Sequence, residues 1–277
     1  MPEAITAPEI FNRSRRKALM ARAARRAGHD VFLWHHMADD LAERLACVNR
    51  DFGEVLIIGP LAYHAKRIMG NRNAAITCAD VAIIEEDRLP YPAASFDLII
   101  TAGTLDSVND LPGALIQMRR YLRPDGLLLG TLFGAGSLST LKSVMLRADG
   151  AAAAAHIHPQ IDLRNMADLL TRAGFALPVA DQDILTVHYG SVAQLVCDLR
   201  DMGIGNVMTG KRPYLGKGGY ARLLSAWQNK AGFDGKVAEK FVLLNISGWA
   251  PSTDQPKPAK RGSGTVSLAS VLKLRTD

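Results

Sequence analysis

The sequence predicts an α/β fold: a doubly wound, parallel sheet with helices on both faces. Three observations point there. Glu54-Val55-Leu56-Ile57-Ile58 is an aliphatic run that reads as a buried strand; Gly59-Pro60 ends it, and a helical segment follows from Leu61. Two more apolar runs, 98–100 and 127–133, flank a segment of helical character, and strands that alternate with helices build parallel sheets. Of 277 residues, 48% are hydrophobic and 22% charged, the profile of a globular chain long enough for one large domain or a core domain with an appendage.

Residues 1–9 carry two prolines and little periodicity and read as a loose tail. Residues 11–27 are dominated by Ala, Arg and Leu and read as a helix closed by Gly28. In 32–48, Phe32, Leu33, Met37, Leu41, Leu45 and Val48 recur at helical spacing. After the strand at 54–58 come a helix at 61–69 and a turn at 70–73. Residues 74–84 are apolar apart from Thr77 and Asp80, with room for a single strand before Glu85. Asp110 is placed to cap a helix that tolerates Pro112 in its first turn and runs to about Leu122. Helices are expected at 136–149, at 162–173 closed by Gly174, at 191–202 and at 220–231. Residues 175–189 and 241–249 read as extended, 203–219 as a glycine-rich basic loop, and 252–277 as a mobile tail. No internal repeat is visible.

The net charge of +6 is unevenly placed: Arg13, Arg15, Arg16, Lys17, Arg22, Arg25 and Arg26 fall in one stretch without an acid. Residues 13–26 are either an arm that meets an acidic partner or a solvated helix face with its alanines, Leu19 and Met20 packed inward, and the second reading is favoured. No aromatic side chains interleave the basic ones to stack on bases, which argues against nucleic acid. No run approaches the roughly eighteen apolar residues of a membrane span. Residues 1–30 lack the apolar stretch and small-residue cleavage site of a secretory leader. Cys47, Cys78 and Cys197 are far apart and odd in number, which predicts free thiols in a reducing, cytoplasmic setting.

Three stretches carry a family resemblance. They are Leu89-Pro90-Tyr91 with Ser95-Phe96-Asp97-Leu98-Ile99, then Val108-Asn109-Asp110-Leu111-Pro112-Gly113-Ala114-Leu115, then Leu122-Arg123-Pro124-Asp125-Gly126-Leu127. Together they resemble class I S-adenosylmethionine-dependent methyltransferases. Within that superfamily the chain is most similar to bacterial relatives of the methyltransferase-like complex I assembly factor, an arginine hydroxylase; the malonyl-acyl carrier protein methyltransferases of biotin synthesis are cousins. Phe11-Asn12-Arg13, Arg172-Ala173-Gly174-Phe175, Asp198-Leu199-Arg200-Asp201-Met202-Gly203 and Gly248-Trp249-Ala250-Pro251 extend the likeness over nearly the whole chain. The resemblance implies a Rossmann-like sheet with its last strand antiparallel, a helical arm at 1–50, a methyltransferase-like domain at 51–251 (core 54–133, helical insertion and last strands 134–251) and a tail from 252. It also implies S-adenosylmethionine as cofactor. On this sequence the cofactor positions are Gly59 in the turn after strand one, with Asp80 and Glu85 as the acids for ribose and adenine.

The residues themselves depart from that pattern in four ways. The family's strand-one motif places an acid where Ile57 stands, and its second and third glycines fall on Leu61 and Tyr63. A parallel crossover needs at least about 10–12 residues, so 74–85 lacks the room for a further strand–helix unit. Thr101-Ala102 and Asp106-Ser107 replace the family's usual residues after the next strand, and Pro60 removes an N–H that could have met a ligand. Leu61 and Tyr63 are expected to plug the pocket as core.

Other constellations are weaker. His35-His36 point about 100° apart on a helix and do not chelate. His156-x-His158 lacks a third ligand, so no metal site is expected. Gly216-Lys217-Gly218-Gly219 reads as a loop between helices, and Asp106 and Tyr63 as polar groups beside the pocket. Two functions stay open: a methyltransferase acting on a protein or carrier-bound substrate, and a non-catalytic binding or assembly factor on the same fold. Nucleic-acid binding through the arm is a weaker third.

Overall fold

The structure is a computed structural model and describes residues 9–27, 31–80, 88–150, 155–210, 214–253 and 255. The expected helix stop at Gly28, the candidate adenine ligand Glu85 and all but three residues of the expected tail lie outside them.

Six strands form one sheet in the order β2-β1-β3-β4-β6-β5. They are β1 (Glu54–Ile58), β2 (Ala75–Ala79), β3 (Phe96–Ala102), β4 (Leu122–Phe133), β5 (Ala176–Tyr189) and β6 (Val237–Trp249). The first four are parallel, and β6 runs antiparallel between β4 and β5. A strand–helix unit between β2 and β3 is missing from the described residues, as the short 74–85 segment predicts. Alternate side chains sort the core onto the two faces. Val55, Ile57, Leu98, Ile100 and Leu129 face α2 (Phe32–Ala46), α5 (Ser139–Asp149) and α7 (Val192–Asp201), whereas Leu56, Ile58, Ile99 and Leu128 face α4 (Leu111–Tyr121) and α6 (Leu163–Arg172).

Several sequence motifs turn out to be joints of this frame. Asp97 accepts from the backbone N–H of Glu54 at 2.9 Å and of Gly53 at 3.1 Å, and from Arg123 Nη1 at 3.0 Å. It thereby ties the starts of β1, β3 and β4 together. Ala250 N donates to Gly126 O at 2.7 Å and Asp125 N to Ala250 O at 3.0 Å, so the Arg123–Gly126 corner is locked to the chain leaving β6. Asp110 and Asp162 cap α4 and α6 as expected, accepting from Gly113 N and Asn165 N, each at 2.8 Å.

The remaining helices are α1 (Arg13–Ala27), the short α3 (Ala65–Met69) and α8 (Gly216–Gln228), and α7 and α8 form the helical insertion before the last strand. Three expectations are corrected here. The segment after β1 is a 3-10 turn at Pro60–His64 followed by α3, since Pro60 and the tight exit from Gly59 favour the narrower winding. Gly216-Lys217-Gly218-Gly219 is the first turn of α8, not a loop; Gly219 lies so close to Leu215 that a Cβ there would come within 2.9 Å of it. Nor are all the arm's arginines solvated: Arg16 is buried. Among the described residues no helix is long and apolar enough to cross a membrane.

Candidate functional site

The C-terminal edges of β1, β2 and β3 bring Gly59 and Asp80 together. Ile58 and Ala79 are register partners, and Gly59 and Asp80 are the next residues of each chain. Gly59 has φ +97, a conformation that favours glycine. A Cβ on it would lie 2.3 Å from Thr104 Cγ2 and 3.0 Å from Ala102 O. Its N–H donates to Ala79 O at 2.9 Å, and its carbonyl accepts from Ala62 N at 3.1 Å. The turn's own hydrogen bonds and the Thr104 methyl thus take up the groups that a cofactor cradle would offer. Thr104 is itself fixed by a 2.9 Å hydroxyl pair with Thr101, both buried.

Ile57 is fully buried in the core toward α2, where an acid would be costly. Leu61 is 0% exposed and packs into the same core, as expected. Tyr63 does not: its side chain is 58% exposed, because the 3-10 turn rotates it outward while Leu61 and His64 point in. Gly103, at the end of β3, is covered by Trp34 of α2; a Cβ there would lie 2.3 Å from the indole. Neither Thr104 nor Trp34 could be assigned this part from sequence, since each acts across the chain.

A second region of the same edge is open. A cleft of about 90 Å³ is lined by Asp106, Phe133, Ser137, His156, His158 and Asn206 among others. That is room for the tip of a side chain or a short chain, below the roughly 300–1,000 Å³ of clefts that enclose a whole small molecule. His158 accepts from Val207 N at 2.8 Å, and its ring meets Phe11 edge-on at 5.2 Å. Burial pushes its pKa down to about 4, with Arg16 adding to this against a backbone hydrogen bond to Gly205. His156 Nε2 lies 2.9 Å from both carboxylate oxygens of Asp149. The two histidines are therefore held by separate partners, and among the described residues no three His, Cys, Asp or Glu gather as a metal site.

Pieces distant in sequence are tied together beside this cleft. The Phe11 backbone is gripped by Asn109, and Asn12 N donates to Val207 O at 2.7 Å. Met20 and Ala23 of α1 pack on Gly203, whose φ of +74 and lack of a Cβ allow the contact. Arg16 donates to Thr104 O at 3.0 Å, linking the arm to the residue that closes the Gly59 turn. The Phe11-Asn12-Arg13, Val108-Asn109-Asp110 and 198–203 stretches are thus one surface.

The sequence profile of a family described as methyltransferase domain matches residues 24–178, more than half of the chain. The chain belongs to this family. Among curated relatives, arginine-hydroxylase NDUFAF5, mitochondrial, of Danio rerio is 32% identical over 208 residues, covering 74% of this chain. This chain spans just under two thirds, 65%, of that relative's length. The Rattus norvegicus protein of the same name is 28% identical over 300 residues, 99% of this chain and 88% of the relative. A malonyl-[acyl-carrier protein] O-methyltransferase of Gallionella capsiferriformans is 28% identical over 209 residues, 75% of this chain and 68% of its own. A crystal structure from Bacillus halodurans, of a protein assigned as a methyltransferase, superposes with a TM-score of 0.52 at 11% identity, over 76% of this chain and 97% of that one. At that identity the likeness shows the Rossmann-like fold.

Proposed function

We propose that this methyltransferase-family protein receives a protein or carrier-bound substrate in the cleft between α5, α7 and residues 156–160, and that its Gly59 turn does not hold S-adenosylmethionine in the family's manner. The observation that carries the reading is the state of Gly59: its N–H is spent on Ala79 and its open face is filled by Thr104. The role that follows is binding, of the kind an assembly factor performs. The relatives' names give two substrate classes, arginine and malonyl-[acyl-carrier protein]. An acidic partner would meet the exposed arginines of α1, Arg22, Arg25 and Arg26, rather than Arg16. The three free, exposed cysteines accord with a cytoplasmic setting.

Methyl transfer is the second reading. It is favoured by Gly59 and Asp80 meeting at the edge where the family binds its cofactor. Titration of the protein with S-adenosylmethionine and with its demethylated product by calorimetry decides between them. The expected dissociation constant is weaker than about 1 mM, roughly −4 kcal/mol. Micromolar binding would overturn the filled-turn reading and restore the enzyme.

A further inference from the structure

Two hollows meet behind α1. The inner one is the cleft already described, and its apolar lining is Phe133, Leu138, Leu141, Leu199, Ile204 and Phe241. The outer one is lined by Leu19, Arg22, Arg26 and Arg200. His156, Ile204, Gly205 and Asn206 border both, so the apolar interior lies directly beside a guanidinium-lined outer hollow.

The charges are ordered along this path. Arg26 is paired with Asp201 at 2.8 Å. Arg22 and Arg200 are exposed and have no carboxylate partner among the described residues. Deeper in, Asp106 lines the wall. Most of the interior's polar groups have protein partners. Ser137 Oγ donates to Val242 O, Gln160 Nε2 donates to Ser137 O, and Asn206 Nδ2 donates to Ala155 O. An anion is drawn to the mouth by Arg22 and Arg200, while apolar surface is buried best inside.

We propose that the two hollows join across Ile204 and together bind an anionic amphiphile. An apolar chain lies along Phe133, Leu141, Leu199 and Phe241, and a carboxylate or phosphate head rests between Arg22 and Arg200. This rests on the cleft being the substrate side, but not on the state of the Gly59 turn. Both a free acid and a phosphate-linked chain have the required chemistry.

The test uses the full chain in calorimetry with decanoate, decyl phosphate, decanol and inorganic phosphate, each below its aggregation limit. One chain per protein is expected, with the anionic chains binding roughly tenfold tighter than decanol, about what two half-screened charge contacts supply. The tighter of decanoate and decyl phosphate names the source. From hexanoate to decanoate, affinity should rise roughly three- to fourfold per methylene. The exposed pair Arg22→Ala with Arg200→Ala should bring decanoate down to the level of decanol. Ile204→Trp, which fills the junction, should abolish binding of every chain, and the length series gives the same information if that variant does not fold. Decanol or inorganic phosphate binding as tightly as decanoate would overturn the proposal, as would affinity independent of chain length or of the arginine pair. Binding of both S-adenosylmethionine and decanoate refutes the filled turn alone; binding of neither refutes this inference alone.

Discussion

Asn109 holds the backbone of Phe11 with both ends of its side-chain amide: Oδ1 accepts from Phe11 N at 2.7 Å, and Nδ2 donates to Phe11 O at 2.9 Å. The pair is 98 residues apart, and it copies the two-bond exchange between facing residues of an antiparallel ladder. Its effect is to make the N-terminal arm part of the site. Phe11 then stacks on His158 and forms a bridge with Met208, while Arg16, one turn into α1, reaches Thr104.

Asn109→Ala removes both bonds and leaves the Phe11 peptide without partners on that side. The expected loss is about 1–3 kcal/mol. Hydrogen exchange should accelerate across α1 and the 206–209 segment while β1, β3 and β4 keep their protection. Uniform acceleration over the whole sheet would show that the arm is not a separate unit.

His158 makes stability depend on pH. Its folded pKa, about 4, is below the unfolded value of 6.5, so between those values the unfolded chain binds the proton and the folded one does not. Stability should therefore fall as pH drops from 6.5 toward 4, by up to about 3 kcal/mol, and this contribution should level off below that. Burial is the main cause, and the geometry agrees with it, since protonation takes away the nitrogen that accepts from Val207 N. Urea midpoints at pH 7.5 and 4.5 for the natural chain and for His158→Gln check it; the variant should lose most of the difference.

Gly59→Ala should be costly for two separable reasons: φ at +97 and the Thr104 methyl at 2.3 Å. Together these amount to roughly 3 kcal/mol or more. Thr104→Ser removes the methyl and keeps the hydroxyl that pairs with Thr101. It should recover about 1 kcal/mol of the loss and leave the backbone strain. A cycle of the two substitutions with no coupling would mean that Thr104 does not fill the turn.

The frame was legible because its signals are local. The aliphatic run at Val55–Ile58 needs only its own neighbours to read as a buried strand, and Asp110 and Asp162 cap helices three residues ahead of themselves. Gly59 and Asp80 could be placed on one edge because each follows a strand. The rest depends on contacts across the chain. Trp34 over Gly103, Arg16 on Thr104 and Arg44 on Asp181 join residues far apart in sequence. The outward turn of Tyr63 followed from a 3-10 winding that its residue type does not signal. The glycines of α8 read as loop because their helix is stabilised by packing against Leu215 and α5 rather than by propensity.

Asp97 offers the same sign as His158, at lower pH. Burial alone would raise its pKa, but the Glu54 and Gly53 N–H groups and the Arg123 guanidinium hold it below the ordinary carboxylate value of 3.8. A lowered carboxylate pKa means that the unfolded state takes up the proton first as pH falls. The contribution of Asp97 is thus fully present above pH 3.8 and is lost as pH falls through its folded value. Asp97→Asn keeps one acceptor oxygen but loses the charge facing Arg123 and places an amide against a backbone donor. At pH 7 it should destabilise by about 1–3 kcal/mol. The gap between the natural chain and the variant should hold from pH 7 to 5 and narrow below about pH 4, the same direction as at His158 but in a lower pH window. Because Asp97 joins three strand starts, the variant should speed exchange at the N-terminal ends of β1, β3 and β4 and leave the Gly59 edge unchanged. A gap that widened with acid would place the origin of its stabilising effect elsewhere.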